Sequence, residues 1–106
     1  MAFNDFLKAV MVHQPKGILK YKIAKWILSE LKENGKLTFK ELYNKLKERT
    51  DFSPKLLRKV LRILRDLNII RLTTKHTETQ VYAYEIDKYF VDFLRNIERD
   101  FYKSYC

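Results

Sequence analysis

The stretch from Ser53 to Leu72, SPKLLRKVLRILRDLNIIRL, constrains the fold of this chain more than any other part of the sequence. Ser53 is a favourable N-cap, and Pro54 fits the first helical position, where a backbone N–H is not needed. Apolar residues then recur at spacings of three and four, the pattern of a helix that buries one face. They are Leu56, Leu57, Val60, Leu61, Leu64 and Leu67. The pattern predicts an amphipathic helix from Pro54 to Leu67.

The opposite face of this helix is basic. It carries five cations and, within the segment, one carboxylate, Asp66. The cations are Lys55, Arg58, Lys59, Arg62 and Arg65. Arginine side chains suit phosphate groups and guanine edges, because their planar N–H donors match the acceptors of both. A charged helix face is also typical of a surface that is only solvated, so the context of the helix decides between the two interpretations.

Two β-strands are predicted after this helix. Asn68 tolerates the left-handed conformation that ends many helices. The run from Ile69 to Thr74 then indicates a strand, and a second run from Thr79 to Ile86 alternates its side chains between two faces. The expected buried residues of the first run are Ile69, Ile70 and Leu72. Only four residues separate the runs, which favours a β-hairpin.

A shorter helix is predicted just before the basic one. Lys36 and Leu37 favour a very short strand. Thr38 and Glu41 then match a capping box, with Thr at the N-cap and Glu at N3. The helix runs to about Arg49, and its expected buried residues are Phe39, Leu42, Tyr43 and Leu46. A capped helix, a turn and a basic helix follow one another in the order of a helix-turn-helix unit.

Two more helices are predicted towards the N-terminus. The first is a short amphipathic helix that ends at His13-Gln14-Pro15. The second runs from about Lys16 or Gly17 to Glu33, with Asn34-Gly35 as its stop. It carries two apolar stripes, one of Ala24, Ile27, Leu28 and Leu31 and one of Leu19, Ile23 and Trp26. The first stripe is expected to face the core, and the second to receive the N-terminal helix or a second subunit.

A last helix is predicted from Asp87 to about Ser104. Its apolar stripe is unusually aromatic and consists of Phe90, Phe93, Leu94, Ile97 and Phe101. A homodimer would bury such a stripe. Cys106 is the single cysteine and the last residue. Two roles stay open for it, an inert thiol and an intersubunit disulfide.

Charge narrows the expected partners. The formal net charge is +9, which favours polyanions such as DNA, RNA or an anionic membrane surface. The excess is densest over residues 53–68, whereas residues 87–106 are neutral. The sequence contains no run of 18 apolar residues and no secretory signal, so we expect an intracellular, cytoplasmic protein without a membrane span.

The segments LTFKELYNKL and SPKLLRKVLRILRDLNIIRLTT together resemble the winged-helix family of DNA-binding proteins. The resemblance covers residues 18–86. The extra helices at both ends also resemble small dimeric regulators of the MarR and PadR kind, and compact winged-helix proteins of archaeal viruses. The resemblance implies a mainly α fold with a small β-hairpin wing (α+β), a winged helix-turn-helix with extra N- and C-terminal helices.

Three parts of the chain follow from this resemblance. Residues 1–15 are expected to form the N-terminal helix, residues 16–86 the winged-helix DNA-binding domain, and residues 87–106 a C-terminal dimerisation helix.

This sequence departs from the winged-helix family pattern in two places. Asn68 stands where glycine is frequent, at little cost because Asn tolerates the same conformation. The wing tip is short, and its Lys75 and His76 are opposed by Glu78.

The resemblance also assigns roles to individual residues. Those expected to enter the major groove are Lys55, Arg58, Lys59 and Arg62, in the half of a recognition helix that reads bases. Arg65 is expected to contact phosphate or to pair locally. Ser53, Thr38 and Lys40 lie at helix starts, where phosphate is favoured. The expected wing contacts are Lys75, His76 and Thr77.

The function predicted from these features is sequence-specific binding of double-stranded DNA by a homodimer that regulates transcription. The main alternative is a winged-helix adaptor whose basic helix docks an acidic protein, since this fold is used in both ways. Membrane association is a weaker alternative, because the apolar helix face lacks interfacial aromatics. An enzyme is not expected, because His13 and His76 lie outside any metal-ligand spacing and no glycine-rich phosphate loop is present. Neither a cofactor nor a metal is expected.

Overall fold

The computed structural model describes residues 3–76, 81–88 and 90. In these residues the chain forms four helices followed by an antiparallel hairpin. The elements are α1 (Phe3–Val12), α2 (Gly17–Asn34), α3 (Phe39–Lys47), α4 (Pro54–Asp66), β1 (Ile70–His76) and β2 (Val81–Ile86). The predicted fold class, mainly α with a β-hairpin in a winged-helix-like layout, is confirmed. The predicted C-terminal helix lies almost entirely outside the described residues.

The helix boundaries follow local capping chemistry. Thr38 and Glu41 form the predicted capping box at the start of α3, and the Ser53 hydroxyl accepts a hydrogen bond from the backbone N–H of Leu56 at the start of α4. Asn68 has a φ of 60°, the left-handed conformation predicted for it. These short-range contacts fix where α3 and α4 begin and where the chain turns from α4 into β1.

The core lies between α2, α3, α4 and the first residues of β1. Leu57, Val60 and Leu64 of α4 have no exposed surface. From the N-terminal helix, Leu7 and Met11 are equally buried in the same core. The N-terminal helix therefore packs on the body of its own chain, the first of the two possibilities stated for the second apolar stripe of α2.

The apolar surface of α2 differs from the prediction. Ile23 is fully buried together with Ala24 and Ile27, although it was assigned to the other stripe. The two stripes therefore merge into one buried band, because α1 covers the same side of α2 that faces the core. Leu19 and Trp26 lie at the edge of this band and are half-buried.

The hairpin has the predicted antiparallel pairing, with Ile70 opposite Ile86. Its β2 strand also forms a bridge with Leu37, as expected for the very short strand there. Ile69 and Ile70 are buried, but Leu72 is 37% exposed, so its predicted burial is wrong. The reason is that β1 leaves the helical core after Ile70 and continues into solvent.

α1 and α2 meet at a very tight corner. Lys16 has a φ of 57°, and Gly17 starts α2 against the end of α1. A Cβ atom at Gly17 would lie 2.3 Å from the backbone oxygen of Met11 and 2.8 Å from the Cα of Val12. One turn later, the Nζ of the buried Lys20 donates a hydrogen bond to Gln14 Oε1 at 3.2 Å.

Across the described residues, no helix combines the length and apolar character needed to cross a bilayer.

We expect Gly17→Ala to lower the free energy of unfolding by about 1–3 kcal/mol, the usual cost of forcing atoms into a packed site. The added methyl group meets backbone atoms, which cannot rotate away. Thermal and urea unfolding followed by circular dichroism measures the change. Ser29→Ala, at an exposed position of the same helix, is the matched control and should leave stability unchanged or slightly raised. Equal stability of the two variants would contradict this account of the corner.

Candidate nucleic-acid interface

Burial of one face of α4 directs its five cations outwards, and all five side chains are exposed. Three of them, Arg58, Arg62 and Arg65, follow one another at helical spacing along one edge of the exposed face. Lys55 and Lys59 lie along its other edge. In the described part of the chain, none of the five has a carboxylate oxygen within 4.0 Å, since the ion pairs found there join other residues.

The arginine edge of α4 lines an open groove with a volume of about 340 Å³. The lining residues are Arg58, Arg62, Arg65, Asp66 and Tyr84. Three guanidinium groups against one carboxylate make the groove electropositive, which suits an anionic group such as phosphate. The structure thus brings together three of the predicted DNA-binding residues and places them beside β2.

Tyr84 was not among the predicted site residues. It reaches the groove because β2 is held by two backbone hydrogen bonds to Leu37, of 3.1 Å and 2.8 Å. The sequence shows only that Tyr84 shares a strand face with Tyr82 and Ile86. Which helix that face meets depends on pairing between residues far apart in the chain, and local sequence patterns do not contain this information.

Phe39 is a second residue whose position differs from the one predicted from the sequence. It was expected to be buried with Leu42 and Leu46, but only the latter two are fully buried. Phe39 is half-buried, and the guanidinium carbon of Arg58 lies 4.9 Å from the centroid of its ring. This distance is within the range of a cation–π interaction. Tyr43, one turn later on α3, is also half-buried rather than buried.

The helix starts differ in what they offer an anion. At α3, the Thr38 hydroxyl accepts from the Glu41 N–H, and the Thr38 N–H donates to Glu41 Oε1 at 3.1 Å. The Glu41 carboxylate therefore occupies the place where a phosphate would be favoured. At α4, Ser53 is an exposed residue, and its hydroxyl accepts from the Leu56 N–H at 3.2 Å. The hydroxyl oxygen of Ser53 therefore serves as the cap of α4. Lys40, in the first turn of α3, is exposed.

The remaining predicted residues are described only in part. Lys75 and His76 lie at the end of β1, where the strand pairing shifts between Thr74 and His76. The side chains of these two residues, and all of Thr77, lie outside the described residues. Phe90 is half-buried and packs against the core. The other predicted dimer residues also lie outside the described part: Phe93, Leu94, Ile97, Phe101 and Cys106.

We expect Ser53→Ala to act on stability rather than on binding. Loss of the cap should lower the free energy of unfolding by about 1 kcal/mol, whereas Ser53→Gly should cost only a few tenths. Urea unfolding measures both variants. A folded Ser53→Ala protein that had lost tenfold or more in affinity for a DNA duplex would show that the hydroxyl contacts phosphate, as the sequence had suggested.

The described residues contain no group of three or more His, Cys, Asp or Glu side chains that could hold a metal ion. Comparison of the chain with known protein families, with curated protein sequences and with solved structures gives no match. What can be inferred about function therefore comes from the residues and contacts of α3, α4 and the hairpin.

Proposed function

We propose that this chain binds double-stranded DNA in a sequence-specific manner, as a cytoplasmic homodimer that regulates transcription. The observation that carries the proposal is the exposed row of Arg58, Arg62 and Arg65 on α4, which has no carboxylate partner among the described residues. α4 is the second helix of a helix-turn-helix arrangement, the position from which such a helix enters the major groove. The major groove is wide enough to admit an α-helix.

The charge distribution supports a polyanionic partner. The net charge is +9, and five cations lie on one exposed helix face. Neutralising phosphates with such cations releases counterions from DNA, so the affinity should fall steeply with salt. Lysines and arginines that are paired with carboxylates contribute less, because their charge is already compensated.

The positions of the cations along α4 and the groove suggest which part of the DNA each one contacts. Arg58 and Arg62 lie in the body of α4 and are assigned to base edges, together with Lys55 and Lys59. Arg65 lies at the last turn of α4 and lines the groove with Tyr84. We assign Arg65 to a backbone phosphate, with the Tyr84 hydroxyl as a second donor on the opposite wall of the groove.

A protein-adaptor role is the second candidate, and one observation favours it. On the strand face that Tyr84 shares, the hairpin exposes apolar side chains: Leu72, which pairs with Tyr84, is 37% exposed, and Tyr82 is 60% exposed. Exposed apolar residues next to a basic helix suit an acidic protein surface with apolar anchors better than they suit phosphate. An adaptor would not show salt-sensitive binding to duplex DNA.

The test of the DNA-binding role begins with selection of a preferred duplex from a random pool, followed by fluorescence anisotropy at several salt concentrations. We expect a log–log slope of about −0.9 for each phosphate neutralised. Arg58→Ala and Arg62→Ala should each cost about 1–3 kcal/mol on the selected duplex, as expected for lost bidentate base contacts. Arg65→Ala should weaken the selected and a scrambled duplex alike and reduce the salt slope by about one.

The matched control is Arg49→Ala. It removes the same charge, but from a guanidinium that lies 3.6 Å from Glu30 and over the ring of Trp26. It should change affinity far less than Arg58→Ala. If the unsubstituted chain does not bind any duplex even at low salt, DNA binding is wrong and the adaptor role takes its place.

The homodimer part of the proposal rests on the aromatic stripe that follows Phe90 in the predicted C-terminal helix, since Phe90 itself packs against the core. We expect sedimentation equilibrium to give twice the mass of the 12.9 kDa chain. Leu94→Asp, which places a charge in the stripe, should shift the protein towards the monomer, whereas Lys88→Asp, at an exposed position before it, should not. A monomer at all concentrations would contradict the dimer and, with it, the expectation of two half-sites about one helical turn apart.

A further inference from the structure

Several cations lie over aromatic rings. Four such pairs occur among the described residues: Lys25 over Tyr21, Lys47 over Tyr43, Arg49 over Trp26 and Arg58 over Phe39. Arg58 over Phe39 has the shortest distance of the four, 4.9 Å from the guanidinium carbon to the ring centroid. It is also the one pair whose cation lies on α4. This pair therefore connects α3 to the proposed DNA-binding face.

The ring of Phe39 is itself fixed by a row of aromatic side chains, Phe39, Tyr43 and Phe52. The Phe39 and Tyr43 rings are nearly parallel, at 4°, with their centroids 6.4 Å apart. Tyr43 then meets Phe52 edge-on, with centroids 5.4 Å apart and an angle of 76°. The Tyr43 hydroxyl donates a hydrogen bond to the backbone oxygen of Phe52 at 3.2 Å, and Phe52 is buried. The aromatic row thus anchors Phe39 to the core.

Contact with a ring affects a guanidinium differently from contact with a carboxylate. A carboxylate uses the N–H donors of arginine and compensates its charge, as Glu85 does for Arg71 across the hairpin. A ring attracts the cation with its π-electron face and takes up none of these donors in conventional hydrogen bonds. Arg58 therefore keeps both its charge and its donor groups for a ligand while its position is restricted.

We propose that Phe39 is a positioning residue for Arg58, which it holds in place for contact with DNA before the complex forms. This inference rests on the proposed function. A side chain that is already ordered loses less conformational freedom on binding, so part of the cost of association is removed. Arg62 lies over no ring among the described residues, so no ring restricts its side chain before binding. Phe39 therefore contributes to affinity through Arg58.

The binding test compares Phe39→Leu, which removes the ring, with Phe39→Tyr, which keeps it. We expect Phe39→Leu to weaken binding to the selected duplex about two- to five-fold, the equivalent of an exposed cation–π pair, and Phe39→Tyr to leave it unchanged. In the Arg58→Ala background, Phe39→Leu should have no further effect, because the residue that it positions is gone. A purely structural role for Phe39 would give the same loss in both backgrounds.

A second measurement needs no DNA. In the free protein, the Arg58 Nε–H proton should show a ring-current shift in its NMR resonance. Phe39→Leu should remove this shift and Phe39→Tyr should keep it, with unchanged backbone amide resonances in α4 as the check that each variant is folded. An Arg58 resonance that does not respond to Phe39→Leu would overturn the inference.

The outcomes separate the inference from the proposed function. If the unsubstituted chain binds duplex DNA, Arg58→Ala weakens binding and Phe39→Leu does not, then the positioning role is wrong and DNA binding stands. If the unsubstituted chain binds no duplex, both are wrong, even where the NMR shift confirms that the two side chains are stacked.

Discussion

Burial of the apolar face of α4 determines where the other features of the site lie. Leu57, Val60 and Leu64 have no exposed surface, and each fully buried side chain of this kind contributes roughly 1.5–3 kcal/mol. An exposed ion pair is worth about 0–1 kcal/mol. The apolar residues therefore set the rotation of the helix about its axis, and the cations occupy whichever face remains. The outward direction of the basic face is thus a consequence of packing.

The fold tolerates a row of like charges on α4 because burial of the apolar face contributes more free energy than repulsion between exposed charges costs. Arg58 and Arg62 are four residues apart on one helix, a spacing at which like charges destabilise by about 0.2–0.5 kcal/mol. That cost is small beside the burial of the opposite face. Elsewhere in the described residues the chain compensates arginines directly, as between Arg49 and Glu30 and between Arg71 and Glu85. Among the described residues, the cations of α4 have no such compensation, which is consistent with the proposed anionic ligand.

The parts of the structure that could be predicted from sequence are those decided by near neighbours. The capping box of Thr38, the Ser53 cap and the left-handed Asn68 each depend on residues within a turn or two, and all three are confirmed. Burial that depends on distant elements was predicted less well. Leu72 is exposed because β1 leaves the core, and Phe39 lies under a guanidinium from another helix. The positions of Tyr84 in the groove and of Phe39 under Arg58 depend on the same long-range packing, so no local pattern could predict them.

Three consecutive residues connect the two walls of the groove. Leu37 pairs with Tyr84 of β2, Thr38 caps α3, and Phe39 lies under Arg58 of α4. Since consecutive Cα atoms are about 3.8 Å apart, the strand that carries Tyr84 and the helix that carries Arg58 are both held within a few ångströms of one short segment. The capping box makes this segment rigid, because both the hydroxyl and the N–H of Thr38 are tied to Glu41. Residues 37–39 therefore link the strand and the helix that line the groove through one short, capped segment.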